Sequence, residues 1–269
     1  MSTTRSCNGW LLIEERSEAP KFRVLALPGL MGSDVVFSKL MAEPSLAEAA
    51  VHIIAGNPPG FKGLPVPHDF DFSIESYAAI VESLAEAENI DLILGHSFAG
   101  NVLIEVAGRG RYKRRLMIIS PSLEREAETK DLKNLDSMSR KPLIRGLFLW
   151  LTYLMMKSAF TSYFDDEELL AAVVADAKKI PRSIARKVLM GYFDHIDKHG
   201  NLAERLATTQ VPVYYLRGDQ DDIKLTDENR ARLEAYDRVK VFDIPGARHF
   251  AMTDNPAEVA KLIIQMLTL

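Results

Sequence analysis

Short apolar runs that stop at turn residues alternate with helical segments along most of this chain. Phe22 to Leu27 ends at Pro28-Gly29, Val51 to Ala55 at Gly56-Asn57-Pro58-Pro59-Gly60, and Leu116 to Ile119 at Ser120-Pro121. Such runs are too short for helices and too continuous for strands with one wet face, so they predict strands buried on both sides. Asp91 to Leu94 is a further expected strand and leads at once into a helix from Ser97 to about Ala107. Ser73 is placed to cap a helix through about Glu88, with Ile74, Tyr77, Ile80, Val81 and Leu84 on one stripe. Trp10 to Glu15 alternates and is expected at a sheet edge. Strand signals return at Val211 to Leu216 and Val239 to Ile244, before a last helix from Pro256 to Leu267. Buried strands separated by helices imply an α/β fold, a mostly parallel sheet with helices on both faces.

The alternation breaks once. From about Ser122 to Arg205 the sequence reads as helices only, with Pro142 and Pro181 as expected helix starts. The expected organisation is therefore a discontinuous core, 1–121 plus 206–269, with an all-helical cap at 122–205 over one edge of the sheet. A chain of 269 residues with 47% hydrophobic and 26% charged residues can bury such a core without metal or disulfide staples. The net charge of −4 offers no bulk basic field, which argues against nucleic acid as a partner. Cys7 is the only cysteine, so internal disulfides and multi-thiolate metal sites are excluded, and a reducing, cytoplasmic location is expected. Met1 to Gly9 is polar and has no secretory pattern. The apolar stretch Leu143 to Phe160 is interrupted by Arg145 and Lys157, and its uncharged part falls short of the ~20 residues of a transmembrane helix.

Gly95-His96-Ser97-Phe98-Ala99-Gly100 fits G-x-S-x-G between an expected strand and an expected helix. A serine on so tight a turn is forced outward, and it stands where helix N–H groups favour developing negative charge. Serine needs a base, and the base an orienting acid. Of six histidines, only His249 lies in a loop after a late strand, on the edge of a parallel sheet that also carries Ser97. His96 points elsewhere in the turn and is expected to pack or hydrogen-bond. His195 and His199 are expected on the solvated surface of the cap. The acid is sought in Gly218-Asp219-Gln220-Asp221-Asp222, where the residues alone do not choose among three carboxylates.

The order Ser97, then an aspartate of that loop, then His249 resembles the α/β-hydrolase fold superfamily. The resemblance covers the whole chain except the cap and implies an eight-stranded, mostly parallel sheet. Its glycine-x-x-acid pattern after the strand nominates Asp221, with Asp222 second. Gly246-Ala247-Arg248-His249-Phe250 is similar to the family's histidine loop. Leu27-Pro28-Gly29-Leu30-Met31-Gly32-Ser33 resembles its oxyanion loop, with Pro28 in place of the usual histidine. The resemblance implies the backbone N–H groups of Leu30 and Phe98 as oxyanion donors, with Met31 as fallback for the first. Pro59-Gly60-Phe61-Lys62-Gly63 resembles a further family loop and is expected to be structural.

No dinucleotide or phosphate-loop fingerprint and no zinc spacing occur, so neither a cofactor nor a metal is expected. In the cap, Trp150, Met155 and Met156 are candidates to line an apolar substrate pocket. Arg140, Lys141, Arg145, Lys178, Lys179, Arg182, Arg186 and Lys187 make the cap locally basic, which would suit an anionic or carrier-linked substrate. The expected activity is a serine hydrolase acting on a small carboxylic ester or thioester. Carbon–carbon bond hydrolysis or cleavage on the same residues, and a non-catalytic binding or scaffolding protein of this fold, are the alternatives.

Overall fold

The structure is a computed structural model that describes residues 2–7, 9–15 and 20–269; Met1 and Asn8 of the polar amino-terminal stretch lie outside the described residues. Its eight strands are β1 (Ser2–Cys7), β2 (Trp10–Glu15), β3 (Phe22–Leu27), β4 (Val51–Asn57), β5 (Leu92–His96), β6 (Arg115–Ile119), β7 (Val213–Gly218) and β8 (Val239–Ile244). They form one sheet in the order β1-β2-β4-β3-β5-β6-β7-β8. The β1–β2 and β2–β4 pairs are antiparallel and all others are parallel.

Side chains alternate strictly between the two faces, as the pleat requires. Leu25, Ile93, Ile118 and Tyr215 join one buried apolar cluster, while Val24, Leu94, Met117 and Tyr214 join the other. Helices cover both faces. Between β3 and β4 lie α1 (Ser38–Met41) and α2 (Pro44–Glu48); α3 (Ile74–Ala87) precedes β5, and α4 (Phe98–Arg109) follows it. Ser73 caps α3 as its sequence predicts, its hydroxyl accepting from Ser76 N–H at 3.1 Å.

The connection from β6 to β7 carries α5 (Lys130–Ser139), α6 (Arg145–Phe160), α7 (Glu167–Lys178), α8 (Arg182–His199) and α9 (Leu202–Leu206). Pro181 is the N-cap of α8, but α6 begins at Arg145 rather than at Pro142. This helical insertion shares the apolar clusters of the sheet. Val188, Tyr192 and Phe193 bury on one face of the sheet, and Phe164, Leu170 and Val173 on the other. The chain closes with α10 (Asp227–Glu234), α11 (Ala251–Asp254) and α12 (Pro256–Thr268). Among the described residues, no helix is long and apolar enough to cross a membrane.

Strand register sets up the site. Leu27 pairs with Gly95, His96 with Ile119, Ile119 with Leu216, and Gly218 with Ile244. The carboxyl ends of β3, β5, β6, β7 and β8 therefore line up, and their following loops meet along one sheet edge, where open parallel sheets place their ligand crevice.

Candidate active site

Ser97 is the single residue between β5 and α4. Its backbone takes φ 51° and ψ −115°, a conformation that costs energy for a residue with a Cβ. The turn is held by Ser97 N–H donating to Ile119 O at 2.8 Å and Asn101 N–H donating to Ser97 O at 3.1 Å. It can be this sharp because Gly95 has no side chain: a Cβ there would lie 2.6 Å from the Ala99 carbonyl oxygen. Ser97 itself is half-buried, and its hydroxyl has no hydrogen-bond partner among the described residues.

The loop after β3 runs beside it. A Cβ on Gly29 would come within 3.1 Å of Ser97 Cβ and 2.8 Å of His96 Nδ1. Gly32 N–H closes a tight turn onto Gly29 O at 2.9 Å, with Met31 at φ 58°. Among the described residues, the backbone N–H groups of Leu30, Met31 and Phe98 bond to no carbonyl. Phe98 is the first residue of α4, so its N–H is one of the donors that a helix leaves unpaired.

His249 stands in the loop between β8 and α11. Its Nδ1 lies 3.1 Å from Asp221 Oδ1, and the Asp221 side chain is only 1% exposed. Asp219 faces solvent, while Asp222 accepts a hydrogen bond from the Tyr163 hydroxyl at 2.6 Å. Burial opposes charge on the His249 imidazole, but the Asp221 carboxylate and its hydrogen bond outweigh it, with Asp222 and Glu128 adding; the pKa ends above the ordinary histidine value. Burial would raise Asp221, yet His249, the Ser120 hydroxyl and the Ile223 N–H bring it below the usual carboxylate value.

His96 joins the two halves of the site. Its ring centroid is 4.7 Å from that of His249, and its Nε2 donates to the His249 carbonyl at 3.0 Å. Burial, then the nearby His249, lower its pKa to about 3, so the ring is neutral and its proton sits on Nε2. The loop carrying His249 is clamped by Arg248, whose guanidinium reaches both Asp254 and Asp165. Pro59 to Gly63 packs against the site and ties it to α7. Phe61 stacks on Phe98, and Lys62 bridges Asp34 to Asp176 of α7.

Several expectations need correction. Trp150 and Met155 are 48% and 61% exposed on α6, because each is one residue, about 100° of helix turn, from the buried Leu149 or Met156; of the three candidates Met156 alone is buried. His195 is 2% exposed rather than solvated: its Nε2 lies 3.2 Å from Glu105 of α4, which also receives Arg205 at 2.6 Å. Glu105, His195 and His199 could offer three donors to a metal, but Arg205 already supplies the cation that Glu105 neutralises; among the described residues the other such group is Asp221, Asp222 and His249 themselves. The sequence reading also missed Glu128. It is buried, accepts from the Tyr192 hydroxyl at 2.6 Å, and faces His249 electrostatically. A glutamate between helical segments carries no sequence signal for this placement.

The sequence pattern of the Alpha/beta hydrolase family matches residues 24–262. Solved structures share the fold across essentially the whole chain. The bromoperoxidase of Bacillus anthracis is 14% identical, with all of both chains covered and a TM-score of 0.74. Epoxide hydrolase A of Mycobacterium thermoresistibile is 14% identical, covering 100% of this chain and 98% of its own, at a TM-score of 0.75. A thioesterase domain from the curacin biosynthetic pathway is 18% identical, covering 98% and 99%, at a TM-score of 0.68. No curated protein matches in sequence. At these identities the structures share an architecture across different chemistries. The sequence match, which spans nearly the whole chain, is what assigns it: the chain belongs to the alpha/beta hydrolase family.

Proposed function

We propose that the protein is a serine hydrolase that cleaves a small carboxylic ester or thioester through an acyl-enzyme. One observation carries this reading. A strained serine at the amino terminus of α4 shares a sheet edge with a histidine whose Nδ1 is paired to a buried aspartate. Ser97 Oγ attacks the carbonyl carbon while His249 Nε2 takes its proton. Asp221 holds the Nδ1–H and stabilises the imidazolium. The oxyanion is received by the N–H groups of Leu30 and Phe98, with Met31 the alternative to Leu30. The imidazolium then protonates the leaving alcohol or thiol. Water, deprotonated by His249, releases the acid and restores Ser97. The serine at this position separates the chain chemically from hydrolases that use an aspartate nucleophile. The segment 122–205 serves as the cap, and the single cysteine fits a reducing, cytoplasmic setting.

The test is covalent labelling by a fluorophosphonate together with turnover of p-nitrophenyl esters. Ser97→Ala should lose labelling and about 10⁴–10⁶ in kcat while remaining folded. Turnover by Ser97→Ala within tenfold of wild type overturns the assignment. A substrate panel of esters, thioesters, lactones and β-diketones separates ester cleavage from carbon–carbon cleavage, since only the β-diketones demand the latter.

A further inference from the structure

Helix α6 is apolar on two sides. Leu149 and Met156 are buried beneath it, whereas Leu147, Trp150, Leu154 and Met155 face solvent, as does Leu143 in the turn just before it. Leu147 and Leu154 are 63% and 64% exposed. Leu147, Trp150 and Leu154 recur at three- and four-residue intervals, so they form one stripe about 10 Å long on the outside of the molecule, with Leu143 in the turn before the helix and Met155 beside the stripe. A stripe of this kind on a surface helix marks a place where something apolar sits.

The amino-terminal end of the stripe adjoins a groove of about 370 Å³ between α6 and α8. Arg145, Arg182, Arg186 and Lys187 line it with Ser183 and Leu149, and among the described residues no carboxylate does. Asp194, which lies beside Arg186 and Lys187, is paired with Arg140. Both helices begin at the groove, α6 with Arg145 and α8 with Arg182, so their unpaired N–H groups add to the positive field. Apolar side chains bordered by unopposed cations complement a surface that is anionic at its rim and apolar below it.

We propose that the α6–α8 face docks on an anionic phospholipid bilayer, with the α6 stripe entering the acyl boundary and the groove receiving lipid phosphate. The proposal does not depend on the reading of Ser97. It applies equally to an inactive Ser97→Ala protein.

The full chain should co-sediment with phosphatidylcholine vesicles containing about 30% phosphatidylglycerol and bind far less to phosphatidylcholine alone, with binding weakened as salt rises from about 0.1 to about 0.5 M. Trp10 is 2% exposed, so a blue shift of tryptophan emission on binding reports Trp150. Leu147→Glu with Leu154→Glu, and separately Arg145→Glu with Arg182→Glu, should each weaken partition by about tenfold or more. Circular dichroism and turnover of a soluble p-nitrophenyl ester should match wild type in both. Binding without preference for the anionic lipid, or variants that bind as wild type does, overturns the proposal. So does light scattering that finds a dimer dissolved by Leu147→Glu with Leu154→Glu in a protein that ignores vesicles, because a second copy then covers the stripe.

Discussion

Three carboxylates follow β7, and the backbone decides which of them meets the imidazole. Asp219 N–H bonds to Ile244 O and Gln220 N–H to Ala247 O, which ties the start of the loop to the histidine loop. Asp221 is then the first carboxylate turned inward, and its Oδ1 also accepts the Ile223 N–H at 2.9 Å. None of these bonds has a sequence signature, so the residues alone left three candidates and the family pattern was needed to nominate Asp221. Asp221→Asn should cost roughly 10⁴ in kcat because the amide favours the wrong imidazole tautomer. Asp219→Asn should stay near wild type, and Asp222→Asn, whose amide oxygen can still accept from Tyr163, should lose only its share of the charge that raises His249. The pH profile gives an independent check. His249 must be neutral to act as a base, and Asp221 raises its pKa, so activity should climb with pH through a midpoint above the ordinary ~6.5. Removing the carboxylate should move that midpoint of kcat/KM downward. An unmoved acid limb in Asp221→Asn would show that another group sets it.

At the scale of elements, legibility followed burial pattern. The parallel strands read clearly because both faces are apolar, whereas β1 carries Ser2-Thr3-Thr4-Arg5-Ser6-Cys7, a polar run with no alternation to mark it. Its place is fixed by backbone pairing to β2 and by Arg5, which bonds Glu14 and Glu88. Helix α6 shows the opposite failure. Its apolar residues suggested a pocket lining, but a sequence that is apolar all round does not say which face is covered. The acid and histidine loops, by contrast, interlock through one glycine. A Cβ at Gly218 would lie 2.1 Å from Ala247 O and 2.3 Å from Arg248 O, both backbone atoms that cannot yield without moving the neighbouring His249. Gly218→Ala should therefore destabilise by about 1–3 kcal/mol and reduce kcat more than KM. Gly146→Ala is the control: nothing lies within 4 Å of that position, so alanine in the first turn of α6 should be neutral or gain up to about 1 kcal/mol. Thermal melts of the two variants, read beside their turnover, test the contrast.

For the whole molecule, the sequence reads residues 122–205 as helices and places His195 on their surface, and that error hides how the helices between β6 and β7 are joined to the sheet. Glu105 lies on α4, the helix that starts after Ser97, and it is buried between His195 of α8 and Arg205 of α9. Polar partners that converge from three helices are invisible to periodicity, since each looks like an ordinary polar position in its own element. Burial alone would raise the Glu105 pKa, but the hydrogen bonds from His195 and Arg205 and the guanidinium charge hold it at about 2, against an unfolded value near 4.5. The folded state therefore binds fewer protons between these values. The network's contribution is fully present above pH ~4.5 and is lost as pH falls toward 2. Its size at neutrality is on the order of 3 kcal/mol, the equivalent of the whole shift. Glu105→Gln mimics the protonated side chain. Urea unfolding should show the variant less stable than wild type at pH ~7, and the gap should shrink to about half by pH ~3. A gap of equal size at both pH values would mean that packing of α4 against α8 and α9, not the ion network, couples the insertion to the helix that begins at the candidate nucleophile.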